Sequence, residues 1–541
     1  MKRTVAHILL ATFKALSKPA KAMFAASGAL FLAVVALQIL APIVMALFAD
    51  AVLRSDESWL SIGIAYAAVF FFIRSLEEIR FASYVVFEQQ VQRSIVLRVL
   101  NDFFIVRFQD AASKSSSEHA IIVERGLGGL RDVLFNGLFT LLPLVLEATL
   151  AVIVISVKAN VLVGMGCGSA IVTFLAVTYF ISDKVQKLQQ KWFETASKNF
   201  KILSESLRSY ELVRSFNVPA WIHTRYASAT DGFIGEVKQS LKPGVLLGIV
   251  QGVLLFALML STSFVVLASV GDSTAKVTQL VLVNGLLLQI SAPLLQFSAA
   301  YRVFVQGLSS ASQLLDLMHL PKGRGKIALL PTTDKHSIYE FQNLEVSFDG
   351  KNGLRCESLV IPNANIVGIL GSSGSGKTTL AKVMAGILEF SGDVKCAFST
   401  NDIYYCGQNV EIFDLPLSDN IVFGNLDDYC HLNDVLHVSG FSDAEIGSLR
   451  DRTLGENGSR ISGGQKKRIG IARMLYHQAR VMIFDEPTSE LDTKTAQSVI
   501  ETIRQLATDR LVIVITHDQE LSQSCDVTIH ITNGVPRIAE K

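Results

Sequence analysis

Nine consecutive residues, Gly371-Ser372-Ser373-Gly374-Ser375-Gly376-Lys377-Thr378-Thr379, carry the first chemistry legible in this chain. Glycines let a backbone come close to a ligand, so successive N–H groups can wrap a chain of phosphates. Lys377 is spaced to reach the β- and γ-phosphates of ATP, and the Thr378 hydroxyl to sit on Mg²⁺. A plain glycine-rich turn fits the same pattern, so the flanks matter. The apolar run at 366–370 reads as a buried strand and 380–384 as the start of a helix. That helix end adds a positive dipole to the loop.

Two further stretches extend the chemistry. Val481-Met482-Ile483-Phe484 reads as a buried strand ending in Asp485 and Glu486. Downstream of a phosphate loop, Asp485 is the carboxylate expected to hold Mg²⁺. Glu486 is placed to orient or deprotonate an attacking water. Ser462-Gly463-Gly464-Gln465 opens a helix whose apolar face is Ile469, Ala472 and Leu475. Ser462 and Gln465 have capping-box spacing. A cap does not explain two glycines in a first turn, where they cost helix stability, whereas close approach to a ligand does. One ATP cannot occupy both helix ends within one domain of ordinary geometry.

These groups must be positioned by a long and apolar chain. It has 541 residues, half of them hydrophobic and 18% charged, with a mean hydropathy of +0.40. That is too apolar for an ordinary soluble enzyme. A net charge of +1 gives no case for a nucleic-acid partner. The six cysteines lack metal-ligand or C-x-x-C spacing and read as reduced. Apolar runs at 24–49, from 59, 135–157, 161–181, 245–270 and 277–305 can each supply the ~20 residues of a membrane span. Short links at 50–58, 158–160 and 271–276 alternate with long, basic links at 82–134 and 182–244. Positive-inside bias puts the N-terminus, the long links and the C-terminal half in the cytoplasm. The long links are expected to continue the membrane helices. Residues 214–226, with Phe216, Pro219 and Trp221, read as a short transverse helix whose aromatics enter a cleft of the ATP-binding half. Residues 1–22 read as a basic amphipathic helix on the membrane face, a processed leader being the alternative.

Polar residues inside the spans are expensive and mark either a substrate path or helix–helix bonding. Asn136, Glu147, Gln251, Asn284, Gln289 and Gln296 are such candidates, with Arg302 near the end of the sixth run. The expected organisation is an α-helical six-span transmembrane domain at 1–320 and a linker at 321–337. An α/β P-loop ATPase domain at 338–541 follows.

Ser-Gly-Gly-Gln followed by Asp-Glu resembles the signature of ABC transporters. The resemblance covers the whole chain, and the order of spans then ATPase is similar to an exporter half-transporter. It implies a head-to-tail homodimer, with ATP on the phosphate loop of one copy closed over by Ser462, Gly463, Gly464 and Gln465 of the other. It also implies roles for Gln408 beside Mg²⁺, for His517, which ends an apolar run at 511–516 that reads as a strand, at the γ-phosphate, and for Phe348 against adenine. Ser489–Asp492 and Thr453–Gly458 resemble the D-loop and X-loop of that family. The membrane half is most similar to the mitochondrial and bacterial glutathione-linked and heavy-metal exporters, through Glu124-Arg125-Gly126, Leu142–Glu147 and Val283–Leu294. It departs from them where Phe193 and Ser197 replace arginines after the fourth span, and where Gly248 and Leu295 replace asparagines. The implied activity is ATP-driven efflux of a small peptide, glutathione-linked or amphipathic compound, from a bacterial inner membrane with the ATPase in the cytoplasm. An ATP-gated channel or receptor on the same fold is the alternative.

Overall fold

A computed structural model describes residues 18–114, 116–269, 273–323, 326–330, 337–348, 351–424, 431–489 and 491–539. The basic segment before Lys18 lies outside them. The described residues fall into two compact units, one within Met1–Asn101 and Ser116–His319, the other within Asp102–Ser115 and Leu320–Lys541.

In chain order the helices are α1 (Lys18–Leu53), α2 (Trp59–Phe103), α3 (Phe108–Ala112), α4 (Ser116–Phe135) and α5 (Leu142–Lys158). They continue with α6 (Val161–Arg208), α7 (Tyr210–Ser215), α8 (Pro219–Ser269) and α9 (Ser273–Met318). Six helical stretches among the described residues are long and apolar enough to cross a membrane. The 48 residues of α6 rise ~70 Å at 1.5 Å each, over twice the ~30 Å hydrocarbon core. Helices of this length overshoot the bilayer, as the long basic links led us to expect. The third span likewise continues a helix of the long link: helix is present from Ser116 and passes through one π-helical turn, Asn136–Leu141, into α5.

The helices of the first unit pack around Leu144, Ala151 and Ile155 of α5, Phe174 of α6 and Leu286 and Leu294 of α9. Phe70, Phe71 and Phe72 of α2 remain exposed, as suits a surface that meets lipid tails. Without a hydrophobic drive between helices in lipid, close backbone approach matters more. Such an approach joins α4 to α9. A Cβ on Gly129 would lie 2.6 Å from the Gly307 carbonyl oxygen, and one on Gly307 would lie 2.6 Å from that of Gly129.

The second unit holds two sheets. The smaller is β1 (Ile327–Leu329), β5 (Ser391–Cys396), β2 (Ser337–Phe348) and β3 (Lys351–Pro362) in that spatial order, with β2 antiparallel to β3 and β5. The stretch expected to be linker thus contributes β1, parallel to β5. The larger has the order β10 (Val535–Ile538), β9 (Val527–Thr532), β4 (Ile366–Gly371), β8 (Leu511–Ile515), β7 (Val481–Asp485), β6 (Ile403–Cys406). All its pairings are parallel except β9–β10. Such strands are buried on both faces and read as continuous apolar runs, which is why β4, β7 and β8 stood out in the sequence. Helix α10 (Lys377–Met384) buries Leu380, Ala381, Val383 and Met384 between the sheets. After it come α11 (Leu417–Val422), α12 (Leu432–Val438), α13 (Asp443–Leu449) and α14 (Gly463–Tyr476).

The Gly129–Gly307 approach carries a prediction. Gly307→Leu should cost about 1–3 kcal/mol through overpacking and lower the thermal midpoint of the detergent-purified protein. Gly248→Ala, where an added Cβ meets nothing within 4 Å, should leave that midpoint unchanged or raise it slightly.

Candidate active site

The phosphate loop runs from the end of β4 to the start of α10. Gly371 allows a tight turn there, because a Cβ would lie 2.6 Å from the Ile531 carbonyl and 2.7 Å from Ser375 Oγ. Gly376 sits at φ +107°, where a side chain is strained. Lys377 is only 6% exposed, and its ammonium donates to the carbonyls of Gly371 and Ser372 at 2.9 Å each. Ser375 Oγ is buried and has no hydrogen-bond partner among the described residues. A cradle of this shape, with a buried cation and an unsatisfied hydroxyl, fits a phosphate chain. Thr378 stands exposed on the first turn of α10.

Asp485 ends β7 and is 5% exposed. Tyr405 Oη donates to its Oδ2 at 2.9 Å. Thr378, Tyr405, Gln408 and Asp485 line one cleft of about 950 Å³. A hydroxyl, a carboxylate and an amide beside a phosphate loop are the hard oxygen donors that suit Mg²⁺.

Glu486 takes a left-handed backbone, φ +50°, rare for a residue with a side chain. Several contacts hold it there. Its N–H donates to the Ile515 carbonyl at 2.9 Å. Its own carbonyl accepts from Lys467 Nζ at 3.1 Å, from Ser489 Oγ at 2.9 Å and from Ser489 N at 3.2 Å. Its carboxylate accepts from Gln408 Nε2 at 3.0 Å, and His517 Nε2 lies 3.7 Å from the other oxygen. The structure therefore gathers Gln408, the adjacent pair Asp485 and Glu486, and His517, three places far apart in sequence, around one cleft edge. Lys467 also donates to the Gln408 carbonyl, at 2.5 Å. Phe348 closes β2, and its side chain lies outside the described residues.

The second helix end is α14 (Gly463–Tyr476). Ser462 and Gln465 make the full capping box: Gln465 N donates to Ser462 Oγ at 3.2 Å, and Ser462 N to Gln465 Oε1 at 3.0 Å. The two glycines have different reasons. A Cβ on Gly464 would lie 2.6 Å from Thr495 Cγ2, so packing within the chain already requires that glycine. Gly463 meets only Leu491 Cδ2, at 3.8 Å, and is exposed. Among the described residues no hydrogen bond or ion pair joins 462–465 to 371–379.

Comparison with known proteins decides the family. The profile described as "ABC transporter transmembrane region" matches residues 24–294, and that of "ABC transporter" matches 354–489. The chain belongs to the ABC transporter family. It is 28% identical over 539 residues to the rat mitochondrial "Iron-sulfur clusters transporter ABCB7", covering 93% of this chain and 67% of that one. It is 25% identical to an "ATM1-type heavy metal exporter" of Novosphingobium aromaticivorans, covering 79% and 73%. It is 26% identical to the Arabidopsis thaliana "ABC transporter B family member 24, mitochondrial", covering 78% of this chain but only 64% of that relative. A solved bacterial Atm1-family ABC exporter with ATP bound shares the fold, at TM-score 0.81 and 22% identity, over 96% of this chain and 94% of that one. The transporter is thus an integral membrane protein with an ATP-binding domain.

Within the spans, most of the polar candidates are engaged by protein. Gln251 Nε2 donates to Thr178 Oγ1 at 3.2 Å, joining α8 to α6. Asn284 Nδ2 donates to Ser263 Oγ at 3.1 Å, joining α9 to α8. Arg302 donates to Ser298 Oγ on its own helix, and Ser298 pairs with Ser182 of α6 at 2.7 Å. Asn136 Nδ2 donates to the Asp132 carbonyl one turn back. Glu147 is buried at 4% exposure, Gln289 is half-buried and Gln296 is exposed. The helix-bonding alternative therefore accounts for Gln251 and Asn284.

Three residues that line this cleft or tie its edge escaped the sequence reading: Tyr405, Lys467 and Phe108. The aromatic expected to meet the ATPase was on the second long link. In the structure Phe216 follows α7 at 71% exposure, and Trp221 lies in the first turn of α8 at 59%, with the Arg225 guanidinium over its ring. The first long link also supplies an aromatic, Phe108, in a segment that is part of the second unit. Its N–H donates to Glu389 Oε1 at 3.2 Å, and Lys382 of α10 lies 4.7 Å from the ring centre. The run Phe103-Phe104-Ile105-Val106, too β-prone to extend α2, is the signal that could have revealed it.

Two predictions follow from the ties around α14. Lys467→Met should leave ATP binding intact and lower kcat about tenfold, since hydrogen bonds from a charged donor are worth ~1.5–3 kcal/mol. Lys467→Arg should retain most activity. Separately, Glu445, within α13 (Asp443–Leu449), meets Arg468 at 2.8 Å and accepts from Gln465 Nε2 at 3.2 Å. Partial burial disfavours its charge, but Arg468 and the Ser442 N–H outweigh that and hold its pKa at about 2. A depressed carboxyl stabilises the fold above its ordinary range and loses that contribution as pH falls from 4.5 towards about 2. Glu445→Gln should therefore lower the thermal midpoint at neutral pH, and the gap to the parent should narrow on acidification.

Proposed function

We propose that this chain is one half of an ATP-driven exporter and works as a pair of identical copies. The observation that carries this reading is the exposed Gly463 end of α14, which among the described residues no hydrogen bond or ion pair joins to its own phosphate loop. A second copy arranged head to tail would bring that end onto ATP held by Gly371–Thr379, using Ser462, Gly463, Gly464 and Gln465 as donors. Phe348 is the candidate for stacking on adenine.

The hydrolytic roles follow from the geometry. Lys377, already desolvated, exchanges its two loop carbonyls for phosphate oxygens. Thr378, Asp485 and Gln408 would hold Mg²⁺, which supplies charge neutralisation at the β- and γ-phosphates when bound. Glu486, with its carboxylate held between Gln408 and His517, takes the proton of the attacking water. His517 is exposed at the cleft edge and positioned to meet the γ-phosphate. Closure of the two ATPase domains on ATP, carried by helices that overshoot the bilayer, then exposes the central cavity to the far side.

For cargo we propose a small peptide, a glutathione-linked compound or an amphipathic molecule, taken from the cytoplasm across a bacterial inner membrane. The heavy-metal and iron–sulfur names of the relatives favour a thiol-linked metal compound within that class. The absence of arginines at Phe193 and Ser197 favours a less anionic one. Glu147, Gln289, Gln296 and Arg302 remain the candidate contacts.

Glu486→Gln should preserve ATP binding and reduce ATP hydrolysis about a hundredfold or more. In inverted membrane vesicles the parent should accumulate cargo against a gradient only with ATP, and the variant should not. Equilibration without accumulation would instead favour an ATP-gated channel on the same fold.

A further inference from the structure

We infer that Tyr405 is a positioning residue of the metal site, holding one oxygen of Asp485 so that the other is left for the hydration shell of Mg²⁺. The inference rests on the reading of Asp485 as the metal carboxylate. Tyr405 lies three residues before Gln408, on β6.

The strand register brings the two together. β6 and β7 are parallel neighbours, with Tyr405 opposite Ile483 and Cys406 opposite Phe484. Asp485 follows at the end of β7, within reach of the tyrosine ring. That ring packs over Gly407, where a Cβ would lie 3.4 Å from Cε1 and 3.7 Å from the hydroxyl. The phenol is thus fixed from one side by backbone and aimed from the other at Oδ2, 2.9 Å away. Asp485 makes no other side-chain hydrogen bond among the described residues. One oxygen is committed and one is not.

The contact needs a donor, and a tyrosine hydroxyl is one. A carboxylate on a strand end is otherwise free to turn about its last torsion, and each orientation would present a different oxygen to the cation. Fixing it is the service that outer-shell partners give to metal ligands. A phenol is also neutral, so it orients Asp485 without cancelling the charge that attracts the cation. A mere packing role for the ring would be indifferent to the hydroxyl.

Mn²⁺ binding, read by electron paramagnetic resonance on the full-length transporter with a β,γ-imido ATP analogue, tests this. Tyr405→Phe keeps the ring and removes only the donor. Its Mn²⁺ dissociation constant should rise about tenfold, while binding of the analogue in EDTA stays at the parent value. Parent-like Mn²⁺ affinity in Tyr405→Phe overturns the inference. So does loss of analogue binding in EDTA, which would assign Tyr405 to holding the fold. Asp485→Asn measured alongside separates the two readings: if it binds Mn²⁺ like the parent, the role of Asp485 falls and that of Tyr405 with it.

Discussion

Three hydrogen bonds converge on the backbone carbonyl of Glu486, from Lys467 Nζ, Ser489 N and Ser489 Oγ. Much of the ATPase unit depends on this point. A left-handed backbone at a residue with a side chain costs on the order of 1–3 kcal/mol and persists only where its surroundings over-determine it. Here those surroundings are the signature helix through Lys467, the loop after β7 through Ser489, and β8 through Ile515. The same Lys467 binds the Gln408 carbonyl, so the loop that follows β6 is fixed to the same point. The carboxylate of Glu486 is thus aimed by backbone geometry and held by an amide, without needing a salt bridge to direct it.

The membrane unit meets a different constraint with the same economy of partners. In hydrocarbon an unpaired polar group is costly, so each one must find a neighbour or face a cavity. Gln251 with Thr178, Asn284 with Ser263, and Ser298 with Ser182 each pair residues from two helices. Arg302 adds to the last pair. The Gly129–Gly307 approach does by van der Waals contact what these pairs do by hydrogen bonding. Polar side chains spent in this way fix helix register, which leaves fewer of them for cargo than the composition alone implied.

What could be read in the sequence was what local pattern encodes. The phosphate loop, the apolar strands β4, β7 and β8 and the six spans each announce themselves within a short window, because their physics is local. Asp485 and Glu486 were legible because they end such a strand. Phe108, Tyr405 and Lys467 were not, since each acquires its role from a residue far along the chain: Glu389, Asp485 and the Glu486 carbonyl. The π turn at 136–141 was missed because hydrophobic periodicity barely registers a single extra residue per turn. Gly464 is the instructive case. Its glycine was assigned to a ligand, yet Thr495, some thirty positions later, already excludes a side chain there. Spacing marked the position but could not separate a packing reason from a binding one.

The phosphate loop itself shows why ATP has a site ready for it. Lys377 is buried and already bonded to two loop carbonyls, so its desolvation is complete before any ligand arrives. Ser375 Oγ is buried without a partner among the described residues, at a cost of about 1–3 kcal/mol that a phosphate oxygen would recover. Gly371 and Gly376 already have the backbone angles the loop requires. Binding therefore orders little and satisfies groups that folding left unmet, which is how preorganisation raises affinity. Among the described residues no donor of 462–465 bonds to this loop. The exposed end of α14 carries a donor set of its own, held by its capping box. In the pair proposed above, the loop of one copy and the helix end of the other would form the two halves of one binding surface.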